Sequence, residues 1–157
     1  MRTITPVLWM GSRGEEAVDF WVATFPDSRI IATSRFPEGG PAPAGTWLTI
    51  DFALNGLVLQ ALNGGEGHPF TDAISLAVTV DGQPEVDRIW EALTSGGGEE
   101  SQCGWAKDRF GLWWQVIPAG MDALLTDPDP GRAQRAMQAM MTMKKIDLAA
   151  IEAAAAG

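Results

Sequence analysis

The single histidine, His68, and the single cysteine, Cys103, could act as a metal ligand or a nucleophile. His68 stands between Gly67 and Pro69, which favours a solvated loop residue over a metal ligand. A nucleophilic thiol needs a base or a positive field to ionise it, and Lys107 is predicted on the same side of a strand as Cys103. We favour a buried, unreactive cysteine and keep a nucleophilic role as the alternative.

Two glutamines have the polar character of a small-molecule site. Gln115 alternates with Trp113 and Ile117 along an apolar run, so the three side chains are predicted to share one strand face. Gln60 is predicted on the face opposite to Leu59. If these faces line a pocket, the amides supply the few polar groups that such pockets place among apolar walls. The alternative, in which each amide only satisfies nearby backbone, stays open.

The chain has seven tryptophans and no tyrosine. A large indole surface with one N–H suits a pocket for a flat or aromatic ligand. Five tryptophans fall on predicted strands, namely Trp9, Trp47, Trp105, Trp113 and Trp114. Trp21 and Trp90 fall on predicted helices, where packing in the core or in a dimer is expected. The predicted ligand-binding residues are Trp9, Gln60, Asn63, Cys103, Trp105, Trp113 and Gln115.

An internal repeat shows how these residues are positioned. The segment 16–21 recurs in pattern as 85–90, and each copy follows a strand-like apolar run and precedes further strand-like segments. Each half therefore reads as a strand, a helix and further strands. Two such half-sheets can pair into one concave sheet, which is a natural place for a small ligand.

Hydrophobic periodicity and turn residues delimit the elements of the first half. The predicted elements are a helix over 15–25 and strands over 4–10, 29–36, 46–54 and 57–62. The dipeptide Asn55-Gly56 predicts a tight hairpin between the last two strands.

The second half repeats this plan and adds helices. Its predicted elements are a helix over 84–94 and strands over 73–80, 100–106 and 112–118. Asp108 and Arg109 are expected to serve the turn between the last two strands rather than acid–base chemistry. A short helix over 121–125, a helix over 132–144 and a last helix capped by Asp147 are predicted to follow.

These elements predict an α+β fold of duplicated βαβββ modules that form a cupped mixed sheet, with a C-terminal helical extension. The predicted organisation is a single domain over 1–157, with its first module over 3–62, its second module over 72–118 and its C-terminal helices over 121–157.

Composition excludes several classes of partner. The net charge of −9 and the isoelectric point of about 4.4 argue against nucleic acid and against an anionic membrane surface. No apolar run approaches the roughly 20 residues of a membrane helix, and the short run before Gly11 is not typical of a signal peptide. A lone cysteine cannot form an intrachain disulfide, so a cytoplasmic location is expected.

Six segments, in order along nearly the whole chain, carry a family resemblance. They are ITPVLW at 4–9, EEAVDFW at 15–21, LNGG at 62–65, QCGWAKD at 102–108, FGLWWQ at 110–115 and MKKID at 143–147. The chain resembles the PhnB-like branch of the vicinal oxygen chelate superfamily, the glyoxalase/bleomycin resistance/dioxygenase fold. Members of this branch are often labelled 3-demethylubiquinone-9 3-methyltransferase.

The resemblance implies two βαβββ modules in a cupped sheet, commonly completed in a homodimer. It also implies that enzymes of the superfamily hold a divalent metal with His, Gln and Glu at facing strand positions. This chain has Leu8 and Trp9 on the first strand, and Gln115 where those enzymes usually have Glu. We therefore predict no metal and no cofactor.

The methyltransferase label is not supported by the residues. The glycine-rich segment 63–67 is followed by Pro69 and not by a helix of the cofactor-binding type. We predict a cytoplasmic, homodimeric, metal-free protein that binds a small organic molecule, with no nucleic-acid or membrane partner. The alternatives are a metal-dependent isomerase, lyase or dioxygenase of the same superfamily, and an interaction module with a vestigial pocket.

Overall fold

The computed structural model describes residues 4–157, so residue 3, the predicted start of the first module, lies outside the described residues. The chain divides into two compact units, Met1–Pro69 and Phe70–Gly157. Each unit contains one module with a strand, a helix and three further strands. The α+β class and the duplication are therefore confirmed.

The first unit has one helix and a four-stranded sheet. Its elements are β1 (Val7–Trp9), a 3-10 turn (Gly11–Arg13), α1 (Gly14–Thr24), β2 (Arg29–Arg35), β3 (Trp47–Leu54) and β4 (Leu57–Leu62). The strand order is β1-β4-β3-β2, with β1 parallel to β4 and the other pairs antiparallel. The turn at Asn55-Gly56 joins β3 to β4 as predicted, and Asn55 adopts a positive φ of 44°.

The helix packs on one face of this sheet. Val18 and Trp21 are fully buried, and the Trp21 ring stacks on Phe52 of β3 at a centroid distance of 5.8 Å. Because side chains alternate along a strand, Asp51 and Gln60 point to the opposite side. We call that side the open face of the first sheet.

The second unit repeats the topology. Its elements are β5 (Leu76–Val80), α2 (Gln83–Thr94), β6 (Glu99–Glu100), β7 (Trp105–Lys107) and β8 (Trp113–Pro118). The strand order is β5-β8-β7-β6, again with one parallel pair, β5 with β8. The α2 residues Val86, Ile89 and Leu93 are fully buried on the side of the sheet that carries Trp114 and Val116. The opposite side is the open face of the second sheet, and it carries the half-buried residues Trp105, Lys107, Trp113, Gln115 and Ile117.

The predicted strand over 100–106 is wrong, because a left-handed turn interrupts it. Cys103 has φ of 56° and Gly104 has φ of 82°. Their N–H groups donate to Met143 O at 2.8 Å and to Lys144 O at 2.7 Å, which ties this turn to the C-terminal segment. A Cβ at Gly104 would lie 2.8 Å from Val116 O, so glycine is needed there. Cys103 and Lys107 therefore do not share a strand.

Three helices follow the second sheet: α3 (Met121–Leu125), α4 (Pro130–Met141) and α5 (Leu148–Ala156). The helix predicted over 132–144 begins and ends earlier, because Asp129 accepts hydrogen bonds from Gly131 N and Arg132 N and Pro130 occupies the first helical position. Asp147 caps α5 as predicted, through Ala150 N.

The C-terminal helices share a small apolar core. Its fully buried members are Ala136, Ile146, Ile151 and Ala155, and Ile117 of β8 packs partly against it. None of the helices within residues 4–157 combines the length and the apolar character needed to cross a bilayer.

Candidate functional site

Trp9 ends β1 on the open face of the first sheet and is 38% exposed. Its indole Nε1 donates to Gly65 O at 2.7 Å, and its ring centroid lies 4.4 Å from that of His68. A Cβ added at Gly64 would overlap the indole ring. Trp9 therefore anchors the loop that follows β4, and much of the ring surface that the sequence assigned to a ligand contacts this loop.

The same loop is held by a carboxylate. Glu66 accepts from Ser12 N at 2.9 Å and from Ser12 Oγ at 2.8 Å, just before α1. These hydrogen bonds lower the pKa of Glu66 from its ordinary value of 4.5, because they stabilise the ionised form. The negative charge also lies at the start of the helical segment, where the backbone dipoles favour it.

Asn63 has a backbone partner at the end of the sheet. Its Nδ2 donates to Trp47 O at 3.0 Å, and its N–H donates to Leu48 O at 2.9 Å. The amide extends the pairing of β3 and β4 by one step. Asn63 therefore satisfies nearby backbone groups in this structure. Its predicted role in ligand binding stays a prediction.

Gln60 lies in the centre of the first sheet. It is in register with Val7 on the parallel side and with Asp51 on the antiparallel side. Its Nε2 donates to Asp51 Oδ1 at 2.7 Å. Gln60 and Asp51 are both half-buried on the open face, so they place an amide and a carboxylate side by side.

The open face of the second sheet is aromatic. The Trp105 and Trp113 ring centroids are 6.4 Å apart at an interplanar angle of 61°, an edge-to-face geometry. Lys107 Nζ lies 5.7 Å from the centroid of Trp113 and forms an ion pair of 2.6 Å with Glu99 Oε1. A cation close to an indole face is attracted by the ring quadrupole. Two indoles with a charged edge therefore lie on one surface.

Gln115 lies beside this aromatic pair. It is in register with Trp105 on β7 and with Ala77 on β5. Its Nε2 donates to Ser75 Oγ at 2.8 Å. The hydroxyl fixes the orientation of the amide. No residue in the described range 4–157 donates a hydrogen bond to Gln115 Oε1.

Cys103 is half-buried in the left-handed turn before β7. Within residues 4–157, no hydrogen bond joins its thiol to a charged side chain, and Lys107 is instead paired with Glu99. The structure therefore gives no support to Lys107 as the activating partner of this thiol.

Two of the five strand tryptophans are buried. Trp47 and Trp114 are each 2% exposed.

The side chains on these faces do not fit a resident divalent metal of the kind the superfamily implies. The residues in register with Gln60 and Gln115 on the parallel strands are Val7 and Ala77, which have no donor atoms. Neutral amide oxygens are weak ligands, whereas such metals are held by imidazole and carboxylate groups. Across the described part of the chain, no group of three or more His, Cys, Asp or Glu side chains is placed to hold a metal ion.

Each unit thus brings together part of the predicted set. Trp105, Trp113 and Gln115 lie on one face of the second sheet, whereas Trp9, Gln60 and Asn63 belong to the first unit. Asp51 and Ser75 are not among the residues predicted from the sequence. Asp51 could have been found, because it stands between the buried residues Ile50 and Phe52 on a strand and must face away from them. Ser75 had no signal, since it precedes β5.

Comparisons with known proteins place the chain in a family. The sequence profile described as 3-demethylubiquinone-9 3-methyltransferase matches residues 2–117. The duplicated modules and these matches define a protein of the vicinal oxygen chelate superfamily, with the glyoxalase/bleomycin resistance fold. Within that superfamily, the chain belongs to the PhnB-like family that bears the 3-demethylubiquinone-9 3-methyltransferase description.

Solved structures agree with this assignment. A putative 3-demethylubiquinone-9 3-methyltransferase, a PhnB protein from Bacillus cereus, is 31% identical, with coverage of 75% of this chain and 100% of that chain and a TM-score of 0.68. A protein from Pseudomonas aeruginosa is 21% identical, with 75% and 98% coverage and a TM-score of 0.61.

A third structure shows the fold at greater distance. The fosfomycin resistance protein FosX from Listeria monocytogenes, complexed with Mn(II) and sulfate, is 15% identical, with 77% and 94% coverage and a TM-score of 0.57. No curated protein matches the chain.

Proposed function

We propose that this chain is a metal-free protein that binds a flat, largely apolar small molecule on the open face of its second sheet. The observation that carries the proposal is the pair of half-exposed indoles, Trp105 and Trp113, in edge-to-face contact. Covering such apolar surface is favourable by about 25 cal/mol for each Å² removed from water. An aromatic ligand would gain this and would stack on the ring faces.

The polar groups beside the indoles supply orientation. Gln115 Oε1 is free to accept a hydrogen bond from a ligand, since Ser75 holds only the Nε2 side of the amide. Lys107 adds a positive charge at the edge of Trp113. A few polar groups among apolar walls is the usual composition of a small-molecule site.

The family description does not decide the activity, because one fold hosts unrelated chemistries. A class I methyltransferase holds its cofactor at the edge of a doubly wound parallel sheet, whereas each sheet here has a single parallel pair. These topologies support binding over methyl transfer. We include a homodimer and a cytoplasmic location in the proposal, as the sequence predicts.

The test is a screen of flat aromatic and quinone-like compounds by tryptophan fluorescence. The hits are titrated against the wild type, Trp113→Ala and Trp113→Phe. We expect Trp113→Ala to weaken binding by about 1 to 3 kcal/mol, the value of one buried apolar contact, and Trp113→Phe to lose less. The matched control is Leu57→Ala, which removes an exposed apolar side chain in the other unit.

Hits that bind Trp113→Ala as tightly as the wild type would disprove the proposed location. The enzyme alternative is examined with the same hits, incubated with protein and followed by mass spectrometry. Turnover that is lost in Trp113→Ala would replace the binding function with a catalytic one at the same surface.

A further inference from the structure

The first sheet carries a carboxylate on its open face that the proposed function does not use. Asp51 lies in the middle of β3, between Ile50 and Phe52, which are buried on the α1 side. Its side chain therefore points away from α1, where it is half-buried. A carboxylate partly removed from water costs free energy unless donors or a cation compensate it.

The contacts of Asp51 compensate it only in part. A carboxylate can accept about four hydrogen bonds, and Gln60 Nε2 supplies one, at 2.7 Å. Within residues 4–157, Asp51 takes part in no ion pair. Arg29 on β2 is in register with Ala53, two residues after Asp51 on β3. Among the described residues, Arg29 forms no ion pair with Asp51. The carboxylate keeps acceptor capacity for a cationic donor.

Apolar side chains lie on part of the face around this carboxylate, which also carries the polar residues Gln60 and Thr49. Val7 is in register with Gln60 and is 52% exposed, and Val58, two residues before Gln60 on the same face, is 41% exposed. Ala32 is in register with Asp51 on the other side. Val7 and Val58 thus offer apolar contact beside the carboxylate. A bare metal ion would find too few oxygen donors here, whereas an organic cation matches both features.

We propose that the open face of the first sheet binds a small organic cation, with its ammonium group on the Asp51 carboxylate and its apolar body against Val7 and Val58. Gln60 orients the carboxylate through its Nε2 and offers its Oε1 as a second acceptor for the ammonium group. The net charge of −9 favours the approach of a cation over that of an anion. This surface is made of residues of the first unit and includes none of the residues on which the proposed function rests.

The experiment compares three naphthalene probes of the same shape by calorimetric titration of the full chain. They are 1-naphthylmethylammonium, the neutral alcohol 1-naphthalenemethanol and the anion 1-naphthoate. We expect the ammonium to bind about tenfold more tightly than the alcohol, the scale of one charge-assisted hydrogen bond. Asp51→Asn keeps the acceptor for Gln60 and should bring the ammonium down to the affinity of the alcohol.

Asp19→Asn is the matched control, because it makes the same change in net charge at an exposed position on α1. It should leave the preference intact. Val58→Ser should weaken all three probes several-fold without removing the preference, which separates the apolar contact from the charge. Thermal unfolding of each variant verifies that it is folded.

Three outcomes would overturn the proposal. In the first, the ammonium probe does not bind to the wild type at about 1 mM. In the second, Asp51→Asn binds the ammonium probe as tightly as the wild type does. In the third, Asp19→Asn loses as much affinity for the ammonium probe as Asp51→Asn does. If the ammonium is lost in Trp113→Ala but kept in Asp51→Asn, the first sheet is not the site, while the function proposed for the second sheet stands.

Discussion

Gln60 and Gln115 both lie on the open face of the sheet of their module. Each lies on the fourth strand of its module, in register with a small apolar residue on the parallel strand, Val7 or Ala77. On the antiparallel side the modules differ, because Gln60 faces Asp51 whereas Gln115 faces Trp105. The two amides therefore have different neighbours, a carboxylate on the first sheet and an indole on the second.

The first prediction concerns metal. Because Val7 and Ala77 have no side-chain donor atoms, each amide lacks a second ligand on the parallel strand beside it, and Asp51 alone adds a carboxylate to Gln60. After gentle purification, elemental analysis should find well under one equivalent of Zn, Ni, Fe or Mn per chain. Stoichiometric metal that disappears in Gln115→Ala would contradict this prediction and favour a metalloenzyme.

The second prediction concerns assembly. All seven residues of the edge strand β2 are exposed, including Ile30 at 44% and Ile31 at 48%. Exposed strand edges are usually paired or covered in native proteins. We expect a stable dimer at micromolar concentration, measured by light scattering. The substitution Ile31→Lys should shift the mass toward the monomer if β2 takes part, and a monomer mass for the wild type across this range would refute the prediction.

The third prediction concerns the turn before β8. Asp108 is 1% exposed, and its carboxylate accepts from Phe110 N at 2.9 Å, Leu112 N at 3.0 Å and Trp114 Nε1 at 2.8 Å. Asp108→Ala leaves these donors unsatisfied and should lower the free energy of unfolding by about 2 to 3 kcal/mol.

Urea unfolding measures this loss. Asp81→Ala, in an exposed bend of the same unit, is the control and should change stability by less than about 0.5 kcal/mol. A loss of that small size for Asp108→Ala would show that the carboxylate does not hold the turn.

The fourth prediction concerns pH. Ser12 holds the pKa of Glu66 below 4.5, so the ionised carboxylate stabilises the folded state above that pH. This contribution is lost as the pH falls through the lowered pKa. Glu66→Gln, a neutral residue of similar shape, should have a lower Tm than the wild type near neutral pH.

The difference in Tm should shrink as the pH falls through the lowered pKa of Glu66, because the wild-type carboxylate is then protonated as well. Scanning calorimetry across this range is the measurement, with Glu38→Gln in another loop as the control. A difference that stays constant with pH would show that the charge of Glu66 has no part in fastening the loop to Ser12.

The sequence by itself determined the elements and their faces. Period-two alternation put Gln60 opposite Leu59, and Gln115 on one face with Trp113, because successive strand side chains point to opposite sides. The buried face of α2 followed from the helical spacing of Val86, Ile89, Trp90 and Leu93, because residues three and four apart share one side of a helix. The burial of Trp21 and Trp90 was predicted correctly on this basis.

Tertiary structure alone decided the partners of these side chains. Trp9 is engaged by Gly65 and His68 because a loop distant in sequence folds back onto β1. The break at Cys103 depends on hydrogen bonds to Met143 and Lys144, some forty residues along the chain. Local propensity cannot encode such pairings, because they depend on which backbone groups the folded chain brings together. The contact of Asp51 with Gln60 likewise required the register of β3 against β4.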